Sequence, residues 1–169
     1  MERRRLLIAA PGLIVLTRSA SAQDAHALAA PLNGQHPAAY YHEAARLLQA
    51  GQRDEAVFVF YLGQLRYRTH IAARPELPRD GDPAVFASLS ETIGRPINAY
   101  AFGDMPAVLR TLDAVAAYDQ QNPDRFTDPA AFPEATRRTR DGMARFRAGL
   151  AGRAAEIRRT RAENGLENR

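Results

Sequence analysis

Residues 51–68 read GQRDEAVFVFYLGQLRYR, and the rest of the chain is organised around them. A turn at Gly51-Gln52-Arg53 leads into apolar residues at Ala56, Val57, Phe58, Val59, Phe60, Tyr61, Leu62 and Leu65. A surface helix carries one apolar stripe, whereas a helix that is apolar on nearly every side belongs inside. Crossing a bilayer takes about 20 apolar residues. This run is shorter, and Gln64 and Arg66 interrupt it. It is therefore expected to form the central helix of a small helical domain, from Asp54 to about Ala73.

Working outward, a preceding helix starts at Pro37, and Tyr40, Ala44, Leu47 and Leu48 share one of its faces. Gly51 stops it, and so short a connection predicts two antiparallel helices. Residues 74–83 carry Pro75, Pro78, Gly81 and Pro83 and read as a loop. A third helix is expected over Ala84–Ile93, with Val85, Phe86, Leu89 and Ile93 inward, ended or kinked by Gly94-Arg95-Pro96. Asp104 caps a fourth that reaches Gln121, burying Val108, Leu112, Val115 and Tyr118. Phe126 and Phe132 pin a proline-rich connection. A last helix spans 134–163 with a stripe of Met143, Phe146, Leu150, Ala154 and Ile157, closed by Asn164-Gly165. No stretch alternates as a strand does. The expected fold is all-α, about five helices, built on an antiparallel hairpin with a long C-terminal helix.

Residues 1–22 follow the plan of a secretory signal peptide. Met1-Glu2-Arg3-Arg4-Arg5 is basic, Leu6–Leu16 is apolar, and Ala20-Ser21-Ala22 offers small residues for cleavage. The apolar core is too short for a membrane anchor. The general secretory route fits better than the twin-arginine route, because the residues flanking the arginines do not complete that motif. The expectation is a periplasmic or secreted protein with a flexible lead-in over 23–36 and one domain over 37–169. Cysteine is absent, so stability rests on packing alone. All 23 basic residues are arginine. Over 23–133 there are 9 Arg against 13 acids, and over 134–169 there are 10 Arg against 5 acids. Such segregation draws a terminal helix onto its own acidic body or onto an acidic partner.

Ala44, Gly51, Ala56, Phe60 and Gly63 stand at the spacings of small, turn, small, aromatic and small positions in a helical repeat. On these residues the stretch 40–68 resembles one degenerate unit of a tetratricopeptide or Sel1-like repeat. The resemblance implies a helical-hairpin scaffold of a kind used for protein binding.

The histidines, His26, His36, His42 and His70, are not spaced for a helix-borne metal pair, and no cysteine completes a zinc set. Asp80-Gly81-Asp82 lacks calcium-loop spacing and reads as a turn. Ser88 and Ser90 lack a nucleophile elbow, and no glycine-rich phosphate loop occurs. Neither a metal nor a cofactor is expected. Gln64, Arg66 and Arg68 extend the central helix towards a polar surface. Arg140, Arg147 and Arg158 edge the apolar stripe of the last helix. These six are the expected partner-binding residues, with macrodipole stabilisation and a solvated face as the simpler readings. The expected function is an exported protein-binding module, an envelope adaptor, accessory or inhibitor/immunity-type factor. The alternative is an enzyme with a site assembled from His42, Glu43, Tyr61 and Arg66. Contact with anionic lipid through the last helix is a weaker option, and nucleic acid is not expected.

Overall fold

The computed structural model describes residues 20–169, with side chains from residue 24 onward. The expected leader falls on residues outside this range, apart from its last three positions. Eight α-helices follow one another among the described residues, with no strand: α1 (Ala20–Ala29), α2 (Ala38–Gln49), α3 (Arg53–Ala73), α4 (Asp82–Thr92), α5 (Gly94–Ala101), α6 (Met105–Gln121), α7 (Pro133–Gly152) and α8 (Ala154–Glu163). A 3-10 turn at Ala30–Leu32 follows α1.

α3 is the axis. From Ala56 to Gly63 every residue is buried, because α1, α2, α5, α6 and α7 all pack on it. α2 stops where Gly51 takes φ +79. There Gln52 N–H bonds Leu47 O at 2.9 Å and Gly51 N–H bonds Leu48 O at 3.2 Å, closing the helix end in a Schellman arrangement. The chain then returns antiparallel. Where α2 and α3 meet, a Cβ at Gly63 would overlap the Tyr40 Cβ, so only glycine permits this approach. Asp104 caps α6 by accepting from Ala107 N–H at 2.9 Å, and Val108, Leu112, Val115 and Tyr118 are buried as expected.

The helix count corrects the five expected, for three physical reasons. Residues 23–36 are not a loose lead-in: Ala25 and Ala29 on α1 are buried in the core. The Asn33 side chain also accepts from Arg125 N–H at 3.0 Å and donates to Pro123 O at 3.1 Å. The third helix ends before Gly94-Arg95-Pro96 as expected, at Thr92, but Pro96 also falls in the first turn of α5, where its missing N–H costs nothing, so a further helix follows where none was expected. The long last helix breaks at Arg153, after Gly152, where φ −109 and ψ 11 leave the helical region. The inward face expected for the third helix is corrected at Val85 alone, since Phe86, Leu89 and Ile93 pack half-buried against the core. α4 buries none of its residues and leaves Val85 exposed, because it lies as an outer layer against α3 and α5. No helix of the described residues is long and apolar enough to cross a membrane.

Candidate functional site

An open groove of about 970 Å³ is floored by α3 and α7. Three contacts set the register of these two helices. The Tyr61 and Phe146 rings are 6.1 Å apart, the Thr69 and Thr139 hydroxyls 2.7 Å apart, and Arg138 Nη2 reaches Ala72 O at 3.3 Å. As α3 advances, α7 retreats, so the helices are antiparallel and the groove has two distinct ends. Tyr61, Phe102 and Phe146 make an aromatic end. Arg68 and Arg138 lie towards the other end, with Pro75 beyond them. Pro83 and Phe86, from α4, form a side wall opposite Met143 of α7.

The charged groups of the groove are both cations, Arg68 and Arg138, and its neutral polar groups are Tyr61, Gln64, Asn98 and Thr139. Tyr61 Oη donates to Asn98 Oδ1 at 2.8 Å, which occupies that carbonyl and leaves the Asn98 amide N–H groups to donate. The Arg68 guanidinium lies over the Phe86 ring, 5.1 Å from its centroid. No Asp or Glu lines the groove. It is an apolar trough with cationic groups gathered towards one end.

Of the six expected partner-binding residues, two line this groove: Gln64 and Arg68. Arg66 does not, and here the expectation is corrected. It is 1% exposed, since two positions along a helix turn a side chain to a different face. Arg66 donates to Tyr40 Oη, to Asn122 O at 2.6 Å and to Asp119 Oδ1 at 3.4 Å. Burial pushes the Tyr40 phenol up to about 12, against the opposing pull of Arg66, so its oxygen stays protonated and accepts. Arg140 is turned to the same cluster, its Nε 2.8 Å from Asp119 Oδ2. Arg147 grips Asp113 through two bonds of 3.0 and 2.9 Å. Both arginines are engaged by the protein's own acidic body. Arg158 is exposed on α8, away from the groove.

The residues of the alternative enzymatic reading take separate partners. His42 is exposed on α2, Glu43 pairs with Arg46 at 2.6 Å, Tyr61 bonds Asn98 and Arg66 lies in the core. The structure does not draw them into one site.

A cluster that spacing along the chain did not reveal joins His36, His70 and Asp82, whose ligand-capable atoms lie within 4.8 Å of one another. His70 Nε2 is 2.7 Å from Asp82 Oδ2 and His36 Nε2 is 3.2 Å from Asp82 Oδ1. Tyr67 Oη donates to Oδ1 at 3.3 Å. The outer nitrogens decide what this arrangement is. Arg74 Nη1, which can only donate, lies 2.8 Å from His70 Nδ1. Ala38 N–H donates to His36 Nδ1 at 3.2 Å. Each neutral ring therefore carries its proton on Nε2 and points it at the carboxylate. A metal-bound imidazole needs the reverse, a free Nε2 lone pair and an acceptor facing Nδ1. The donor set fits a clasp on one carboxylate and does not fit a metal. The hydrogen bond from His70, aided by His36, holds the Asp82 carboxyl below the usual carboxylate range despite its partial desolvation. Since Asp82 opens α4, the clasp fixes the helix that walls the groove. Only tertiary folding brings residues 36, 70 and 82 together, so no local motif signals them.

Comparison of the chain with family models, with known proteins and with solved structures finds no match.

Proposed function

We propose that this chain is a protein-binding module, an exported adaptor, accessory or inhibitor/immunity-type factor of the cell envelope, and that its partner docks in the α3/α7 groove. One observation carries this reading: a large apolar trough whose charged groups are two arginines, with no Asp or Glu in its lining. Sites that bind tightly are concave and mostly apolar, with a few polar groups that orient what enters. The likeness of residues 40–68 to a tetratricopeptide or Sel1-like unit adds support of a second kind. The basic, apolar and small-residue pattern of residues 1–22 supports export. Gln64 and Arg68 remain partner contacts in this proposal, joined by Arg138 and Phe146, while Arg140 and Arg147 hold α7 to the body.

The test is site-specific photo-cross-linking in the envelope of the producing cell. A photoreactive residue replaces Phe146 in the groove or, as a control, Arg158 on α8. A single protein cross-linked from position 146, absent from position 158 and competed away by unlabelled chain, is the expected result. Equal labelling from both positions would overturn the groove as the binding surface.

A further inference from the structure

We infer that the partner element taken by this groove is a short amphipathic helix, about two to three turns long, apolar along one face and acidic at one end. The inference rests on the protein-binding reading above and supplies its chemistry.

Length comes first. Tyr61 and Arg68 are separated by seven residues of α3, and Phe146 and Arg138 by eight residues of α7. At 1.5 Å per residue the groove floor therefore runs about 10–12 Å from its aromatic end to its arginines. A docked helix covers that distance with apolar anchors at i, i+3 or i+4, and i+7. A volume of about 970 Å³ is well beyond one side chain and accommodates a row of them.

Backbone chemistry selects a helix over an extended strand. A strand laid in an apolar trough needs a sheet edge to satisfy its N–H and C=O groups. The described residues contain no strand. A helix brings its own backbone bonds with it.

Charge then fixes the flank. Arg138 touches Ala72 O, and Ala72 lies one helical turn beyond Arg68. Both guanidiniums are thus gathered at the end away from the aromatic cluster. Neither makes an ion pair among the described residues, and no Asp or Glu lines the groove, the nearest acids by Arg138 being Glu134 and Asp141 of the adjoining cleft. Arg68 has only the face of Phe86, and Arg138 only one carbonyl at 3.3 Å. Gln64 and the Asn98 amide add donors. Carboxylates at one end of the incoming helix supply the negative charge that the two arginines lack in the groove.

The test is selection from a random library of 14-residue helical peptides on the intact protein, followed by affinity measurement at low and physiological salt. The expected peptides share apolar residues at i, i+3 or i+4, and i+7, with Asp or Glu at one end. Exchanging those acids for Gln weakens binding about tenfold at low salt, and less at physiological salt. The double variant Arg68→Glu, Arg138→Glu reverses the preference towards basic peptides. Both side chains are exposed, so the variants fold, and circular dichroism checks that they do. Selected peptides without an acidic bias would overturn the charge inference and leave the groove reading standing. Failure of every peptide, with dodecanoate bound and displaced by Phe146→Asp, would overturn the helix in favour of an acyl anion. Peptides whose binding ignores Phe146→Asp would show that the groove is not the binding surface.

Discussion

Arg66 shows how a charged residue in an apolar helix is settled by its surroundings. Its guanidinium bonds Tyr40, Asn122 and Asp119 with 1% of the residue exposed, so every donor it loses is lost in the dry core. Removing one partner of a buried ionic cluster strands the others, at a cost of about 3–5 kcal/mol, whereas exposed pairs contribute about 0–1 kcal/mol. Arg66→Ala is therefore expected to lose several times more stability in urea denaturation than Arg147→Ala, whose ion pair is exposed. Equal losses would show that the core cluster is not cohesive. Asp82 answers to pH. Its folded carboxyl titrates below its unfolded value, so its stabilising effect is complete above the unfolded value, near pH 4, and is lost as pH falls through the folded one. Asp82→Asn is expected to lower stability at neutral pH and to flatten the loss of stability below pH 4. Spacing puts Arg66 and Arg68 on different faces of the helix, but sequence alone did not tell which of them is buried. An arginine near a helix end reads as surface, and only the arrival of Asp119 and Asn122 from α6 and the segment after it buries the first of them.

At the scale of the element, local signals were read well where backbone chemistry is decisive. Gly51 and Asn164-Gly165 end helices as expected, the latter with Leu166 N–H reaching Arg161 O at 2.8 Å. Asp104 caps as expected, and the all-apolar run of α3 is the core. The failures have a common origin, in that a residue's effect depends on its place in the turn. Pro96 in a first turn starts a helix that the same residue in an interior would break. α4 turns Phe86 and Leu89 onto the core as its pattern suggests, yet as an outer layer it buries none of them fully and leaves Val85 in solvent. The groove was legible only in part, through Gln64 and Arg68, because its other floor is α7 and the pairing of α3 with α7 has no local signature. The hairpin itself makes a sharp prediction. Gly63→Ala sets a methyl group against the Tyr40 Cβ, which no rotamer can move away. Overpacking of this kind costs about 1–3 kcal/mol. Thermal unfolding of Gly63→Ala alongside Gly149→Ala, where the space is open, separates the steric effect from helix propensity, which favours alanine at both positions.

Across the whole molecule, the charge segregation closes on itself. Arg140 and Arg147 tie α7 to Asp119 and Asp113 of α6, and Arg161 donates to Ala99 O of α5 at 3.0 Å. The basic C-terminal segment 134–169 thus embraces the acidic body and neutralises part of its charge there. At the groove, Arg68 and Arg138 meet a ring face and a carbonyl but no carboxylate among the described residues. Around this closed body the holding forces are uneven. α3 is buried along most of its length, whereas α4 buries nothing and is fastened at one end by the clasp of His36, His70 and Tyr67 on Asp82. Segments with few buried contacts open at lower free energy than the global transition. Amide hydrogen exchange is therefore expected to be faster in α4 than in α3, and Asp82→Asn should speed α4 further while leaving α3 to follow global stability. A bound helix that rests on Pro83 and Phe86 should slow α4 selectively. Exchange of α4 and α3 at one common rate, in the protein and in the variant alike, would mean that the groove wall belongs to the same cooperative unit as the core, and that the clasp does not control it.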